Sequence, residues 1–155
     1  MENVVREYKL TFVPNDRKPK WNNTALTDPE TVAKFAVQLY DDTERIFESM
    51  HMLMLDRANK PIGWVKLSQG GIDSSTFDLR IAAKYAIESL AVGVILIHNH
   101  PSGSTKASES DRVLTEKASK GFKLLDIQLL DHIIICPDDN GYKTVSWASL
   151  QFNNF

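Results

Sequence analysis

Two histidines separated by one residue, His98 and His100, close an apolar run, and Ser108 and Asp111 follow after a turn-rich stretch. In an extended chain, residues i and i+2 point to the same side, so both imidazoles reach one point in space. Pro101 and Gly103 can turn the chain away. It returns through a helix start where Ser108 and Asp111, three apart, share a face. Two imidazoles and one carboxylate are a standard protein set for catalytic zinc, with the fourth position left to water. Zinc lowers the pKa of its water from about 15.7 to about 7, which supplies a nucleophile at neutral pH. A carboxylate outside the ligand set must then take that proton and pass it to the leaving group. Glu48, just ahead of an apolar run of strand length, and the nearby Glu44 both qualify. Ser108-x-x-Asp111 also reads as a helix N-cap with an acid in the first turn, and the two roles are compatible. His51 has no such partners and reads as structural or exposed. His132, beside Asp131, reads as hydrogen-bonded in the interior. The string His98-Asn99-His100 is distinct from the nuclease motif of the same letters, which spreads its residues over a longer two-strand, one-helix unit.

The elements that must position these residues follow from periodicity and punctuation. Residues 4–13 read as a strand with Tyr8, Leu10 and Phe12 on one face, and residues 14–23 as loop. Thr27 as N-cap, Pro29 in the first turn and Glu30 as the capping-box partner open a helix. Its buried stripe is Val32, Phe35, Ala36, Leu39 and Tyr40. Residues 50–55 and 62–67 read as a hairpin around a turn at 56–61. Asp73, Ser74 or Ser75 caps a second helix over 77–91. Residues 92–98 look like a central strand buried on both faces. A third helix runs from near Ser108 to about Gly121. Two apolar runs follow, 124–129 and 132–136, then a turn at Asp138-Asp139-Asn140-Gly141 and a last strand over 142–147. Strands alternating with helices, with a hairpin among them, predict an α/β fold: a mixed β-sheet flanked by helices on both faces.

At 155 residues, with 43% hydrophobic and 25% charged residues, the chain has the size and make-up of one globular domain. A net charge of -2 and a pI near 6.1 argue against attachment to nucleic acid by bulk charge. The basic run Arg17, Lys18 and Lys20 is short and reads as a solvated loop. The single cysteine, Cys136, rules out an intrachain disulfide and any zinc site with two cysteines from this chain. It reads as a buried small hydrophobe in a reducing compartment. Glu2, Arg6 and Glu7 interrupt any signal-peptide pattern, and the longest apolar run, 90–97, is too short to span a bilayer. The expectation is a cytoplasmic protein.

His98-x-His100, seven residues, Ser108, two residues, Asp111 resembles the JAMM signature of the MPN/JAB metallopeptidase family. His98-Asn99-His100-Pro101-Ser102-Gly103 is most similar to its bacterial, RadC-like branch. Asp73-Ser74, Arg80 and Leu129-Leu130-Asp131-His132-Ile133-Ile134 resemble it further, over roughly residues 27–147. The resemblance implies the JAB/MPN (cytidine-deaminase-like) architecture, with residues 1–26 as an extension and 27–155 as the RadC-like domain. It implies zinc on His98, His100 and Asp111. It implies Glu48, ahead of Met54-Leu55-Asp56, as acid/base in preference to Glu44. It implies Ser108 as the group that hydrogen-bonds the water or steadies the oxyanion. The expected activity is a zinc metallopeptidase acting on a peptide or isopeptide substrate; eukaryotic relatives cleave ubiquitin-type isopeptide bonds. Two other readings are a DNA repair or recombination role, including zinc phosphodiesterase chemistry, and a non-catalytic scaffold. Longer RadC-like proteins carry an N-terminal helical module with a DNA-binding look, and here only a strand and loop stand before Thr27. Ser104-Thr105-Lys106-Ala107 replaces the family's Pro-rich stretch, which predicts altered loop stiffness around an intact site.

Overall fold

The computed structural model describes residues 21, 23–40, 46–70, 77–139 and 141–146. The strand expected over 4–13, the basic run at 17–20, Glu44, and Asp73, Ser74 and Ser75 lie outside them. The order is α1 (Pro29–Val37), β1 (Ser49–Leu55), β2 (Pro61–Gln69), α2 (Leu79–Glu88), β3 (Gly93–Asn99), α3 (Glu109–Lys123), β4 (Gln128–Asp138) and β5 (Gly141–Ser146). The strands form one sheet in the order β2-β1-β3-β4-β5. β3 and β4 are parallel and the other neighbours antiparallel, so the sheet is mixed, as the alternation of elements predicts.

β1 and β3 are buried along their whole length. Alternate residues therefore feed two cores. Leu53, Leu55, Ile95, Ile97, Ile133 and Ile135 pack with Val32, Phe35 and Ala36 of α1. Met50, Met52, Met54, Val94 and Leu96 pack with Ala82 and Ala86 of α2 and Ala118 and Phe122 of α3. Each large apolar side chain so buried contributes about 1.5–3 kcal/mol. The small residues of α2 and α3 let those helices lie close to the sheet.

Several ends differ from the sequence reading. α1 is capped by Asp28 rather than Thr27, with the Asp28 carboxylate accepting from the Thr31 N–H at 2.9 Å. Pro29, with its fixed φ and no N–H, suits the first helical position, which makes residue 28 the cap. α2 is capped by Asp78 and stops at Glu88. Leu90 takes φ 56°, the Ala91 N–H donates to the Ala86 carbonyl, and the Leu90 N–H donates to that of Ile87. This is a Schellman turn around a left-handed residue. α3 passes Gly121 and ends in the same way, with Asp126 at φ 57° and the Ile127 N–H donating to the Phe122 carbonyl. Leu124 and Leu125 therefore belong to a helix end and are exposed, and one strand, β4, starts at Gln128 where two runs were read.

β4 carries one irregularity that matters for the site. Val94 pairs with Leu129 but Ile95 pairs with Asp131, so Leu130 is an extra residue. A Cβ at Gly93 would lie 2.8 Å from Leu130 Cδ1, so glycine there makes room for the bulged side chain. A one-residue slip exchanges the faces of everything after it. Leu130 packs on the α1 side, whereas His132 points to the α3 side.

Candidate metal centre

β1 runs antiparallel to β3, so its first residues lie beside the last residues of β3, with Met50 opposite His98. Glu48, one residue before β1, thus meets the His-x-His end of β3. The chain leaves β3, turns through Pro101 and Gly103, where Gly103 has φ 77°, and enters α3 beyond the carboxyl ends of β3 and β4. That is where open sheets with parallel strands offer a crevice.

Ser108 caps α3 and Asp111 is its N3 residue. The Ser108 N–H and hydroxyl both donate to Asp111 Oδ2, at 2.6 and 2.7 Å, and the Asp111 N–H donates back to Ser108 Oγ at 3.1 Å. The cap thus engages Oδ2, and Oδ1 faces His98 Nε2 at 3.2 Å. His100 Nε2 lies 3.3 Å from Oδ2 and 2.8 Å from His98 Nε2. His98 is fully buried, while the side chains of Asp111 and His100 are 7% and 12% exposed. Candidate ligand atoms of Glu48, His98, His100 and Asp111 all lie within 4.8 Å of one another.

Tetrahedral zinc with bonds of about 2.0–2.1 Å would set its ligand atoms about 3.3 Å apart. The His98–Oδ1 and His100–Oδ2 separations are close to that length, each to a different oxygen of Asp111, and the His–His separation is shorter. Neutral imidazoles and a carboxylate are the donors zinc prefers, so the residues present fit the ion.

The surroundings hold each group in place. The His100 ring donates from Nδ1 to the Ser104 carbonyl at 2.8 Å, which leaves Nε2 turned toward the other donors. Cys136 Sγ also donates to that carbonyl, at 2.9 Å. Burial pushes the Cys136 thiol up to about 11 against the opposing pull of Lys143, in keeping with the small buried hydrophobe the sequence suggests. Burial disfavours the charged form of His100. The Asp111 hydrogen bond, the Ser104 carbonyl and the charges of Asp111 and Glu48 outweigh it and raise its pKa above the ordinary 6.5. Burial likewise disfavours ionised Asp111, but hydrogen bonds from His100, His98 and Ser108 hold the carboxyl well below the usual carboxylate range. Burial pushes His132 well below 6.5, so its ring is neutral.

Three neighbours were not singled out by sequence reasoning as parts of a site. Asn99, between the two histidines, points to the opposite face. Its Oδ1 accepts from the Ser49 N–H at 2.7 Å and from the Ser49 hydroxyl at 3.2 Å, and its Nδ2 donates to the Phe47 carbonyl at 2.9 Å. One buried amide thereby grips the backbone on both sides of Glu48, whose own carbonyl accepts from the Gly70 N–H at 2.8 Å. Thr115 lies one turn after Asp111, and its hydroxyl donates to the Asp111 carbonyl at 2.5 Å. His132 Nδ1 is 2.7 Å from Thr115 Oγ1, and its Nε2 is 2.6 Å from His98 Nδ1. A polar residue beside a buried apolar run is the available signal for Asn99 and His132. Nothing local marks Thr115. His132 is hydrogen-bonded in the interior as expected, while Asp131 accepts from its backbone N–H. His51 is buried, its ring edge-on to Tyr40 at 4.7 Å between centroids, and so takes the structural alternative.

Residues 26–151 match the RadC-like JAB domain. The chain belongs to the RadC-like JAB family. Its curated relatives include UPF0758 proteins of three bacteria. The protein of Flavobacterium johnsoniae is 41% identical over 88 residues, 57% of this chain and 38% of its own. That of Porphyromonas gingivalis is 34% identical over 130 residues, 84% of this chain and 55% of its own. That of Aliivibrio salmonicida is 35% identical over 111 residues, 72% and 49%. The RadC-like JAB chain thus spans about half the length, or less, of these relatives. Among the described residues no helix is long and apolar enough to cross a membrane.

Proposed function

We propose that this RadC-like JAB chain is a metal-dependent hydrolase, and more finely a zinc peptidase or isopeptidase. The observation that carries the reading is the convergence of donor atoms from Glu48, His98, His100 and Asp111 within 4.8 Å. In this reading His98, His100 and Asp111 hold the zinc. The ion, when bound, lowers the pKa of water to about 7 and polarises a carbonyl. Glu48 receives the water's proton and delivers it to the departing amine, as general base and then general acid. Its place is set by Asn99 and Gly70 through the backbone on either side. Ser108, whose hydroxyl donates to Asp111 Oδ2 in this structure, would turn it toward the developing oxyanion as a further donor.

The test has two parts. Purified protein should hold about one zinc per chain, and Asp111→Ala should lose it. Glu48→Gln should keep the zinc while turnover of a peptide or isopeptide substrate falls by roughly 10²–10⁴-fold. A folded protein that takes up no added zinc would end the catalytic reading. Undiminished turnover in Glu48→Gln would end the assignment of the base.

A further inference from the structure

The hydrogen bonds behind His98 have a direction that can be worked out from one obligate acceptor. The Asp111 main-chain carbonyl can only accept, so the Thr115 hydroxyl, 2.5 Å away, must donate to it. That commits the hydroxyl's only proton and leaves a lone pair toward His132 Nδ1, at 2.7 Å. His132 Nδ1 must therefore carry a proton. In the neutral ring Nε2 is then bare, and it can only accept from His98 Nδ1, at 2.6 Å. His98 in consequence carries a proton on Nδ1, which leaves Nε2, the nitrogen facing His100 and Asp111, as the atom that can bind a metal.

We propose that His132, oriented by Thr115, is a positioning residue that fixes His98 in the tautomer and ring angle able to bind a metal through Nε2. The chain closes on itself, since it starts at the main chain of Asp111, one expected ligand, and ends at the ring of His98, another. His100 is held separately by the Ser104 carbonyl, so each imidazole has its own support on Nδ1. All groups of the relay are at least 95% buried, with His98 and His132 at 0% exposure and Asp111 and Thr115 at 5%. Water therefore does not compete for these protons. Outer partners of this kind orient ligating histidines, and their loss typically costs 10–100-fold in metal affinity. The importance for metal affinity rests on the zinc reading above, whereas the ring tautomers do not.

The experiment combines long-range ¹H–¹⁵N correlation spectra of the imidazoles with zinc titration of the full chain. In the wild type, with zinc removed or bound, His132 should appear as the Nδ1–H tautomer and His98 should carry its proton on Nδ1. Thr115→Val, which keeps the shape and removes the hydroxyl, should release that tautomer of His132 and weaken zinc binding by about 10–100-fold. His132→Leu should weaken zinc at least as much. His132→Gln, whose carboxamide oxygen can stand where Nε2 stood, should recover part of the loss. If His132→Leu does not fold, Thr115→Val and the wild-type spectra still decide. Nε2–H on wild-type His132 overturns the proposal, as does unchanged zinc affinity in folded Thr115→Val and His132→Leu. The expected tautomers, released in Thr115→Val, in a protein that binds no zinc would retain the relay and remove the zinc reading. Reversed tautomers in a protein that binds zinc would do the opposite.

Discussion

At the scale of single residues, Asp111 joins a helix cap to a cluster of donors. Its Oδ2 takes both donors of Ser108, and its Oδ1 faces His98. With zinc bound as proposed, this arrangement predicts opposite responses to pH for metal-free and zinc-loaded protein. His100 has a pKa raised above 6.5, chiefly because Asp111 outweighs its burial. Its contribution to metal-free stability is complete below 6.5 and is lost as pH rises through the raised value. Asp111, held below its ordinary 3.8, contributes above that value and loses the contribution only as pH falls through its depressed one. In metal-free protein the pair therefore stabilises most between about 4 and 6.5. Zinc needs His100 neutral, so its affinity should strengthen with rising pH until His100 is deprotonated, with a proton released on binding below that point. Denaturant unfolding with chelator, and zinc titration across pH 5–8, would check both signs. A pH-independent zinc affinity would contradict the assignment of His100 as a ligand.

At the scale of elements, the helix ends set where the sheet's useful residues fall. The left-handed turn after α2 lets Val92 start the path into β3, with the Val92 N–H donating to the Leu55 carbonyl at 2.9 Å. Leu90 stands in that turn at φ 56° while 82% exposed, so it bears the steric cost of the left-handed region with little packing in return. That cost is roughly 1–2 kcal/mol for an L-residue, against about 0.5–1 kcal/mol of extra chain entropy for glycine. Leu90→Gly should accordingly stabilise the protein by about 0.5–1 kcal/mol. Thermal unfolding would show this as an increase of about 1–4 °C, and an unchanged or lower Tm would contradict it. This helix end was legible only in outline. The sequence reads as helix through Ala91, and only the hydrogen bonds to Ala86 and Ile87 reveal the stop.

At the scale of the molecule, two apolar cores hold a mixed sheet, and one group of buried polar residues gathers around the end of β3. Ser49, His98, Asn99, Asp111, Thr115 and His132 are all buried there. Buried polar groups must be satisfied by one another, and a bound ion would complete the set from the open side at Glu48 and His100. Zinc at about 100 times its Kd should stabilise the fold by about 2.7 kcal/mol. For a chain of 155 residues this corresponds to a Tm increase of about 5–10 °C, reversed by chelator. A melting curve indifferent to zinc would argue against a site formed in the native fold. The relatives extend well beyond the matched span.

Sequence alone determined what near neighbours decide. Strand alternation put His98 and His100 on one side, Ser108 and Asp111 made a helix cap, and apolar periodicity called for a sheet covered on both faces. These follow from backbone geometry over a few residues. The tertiary structure decided what distant segments must agree on. Asn99 grips Ser49 from 50 residues away, which ties Glu48 to the His-x-His strand. The extra residue at Leu130, allowed by the missing side chain of Gly93, turns His132 toward His98 and Thr115. Pairing register is a property of two strands together, and a single bulge reverses every face beyond it. No local pattern in either strand carries that information.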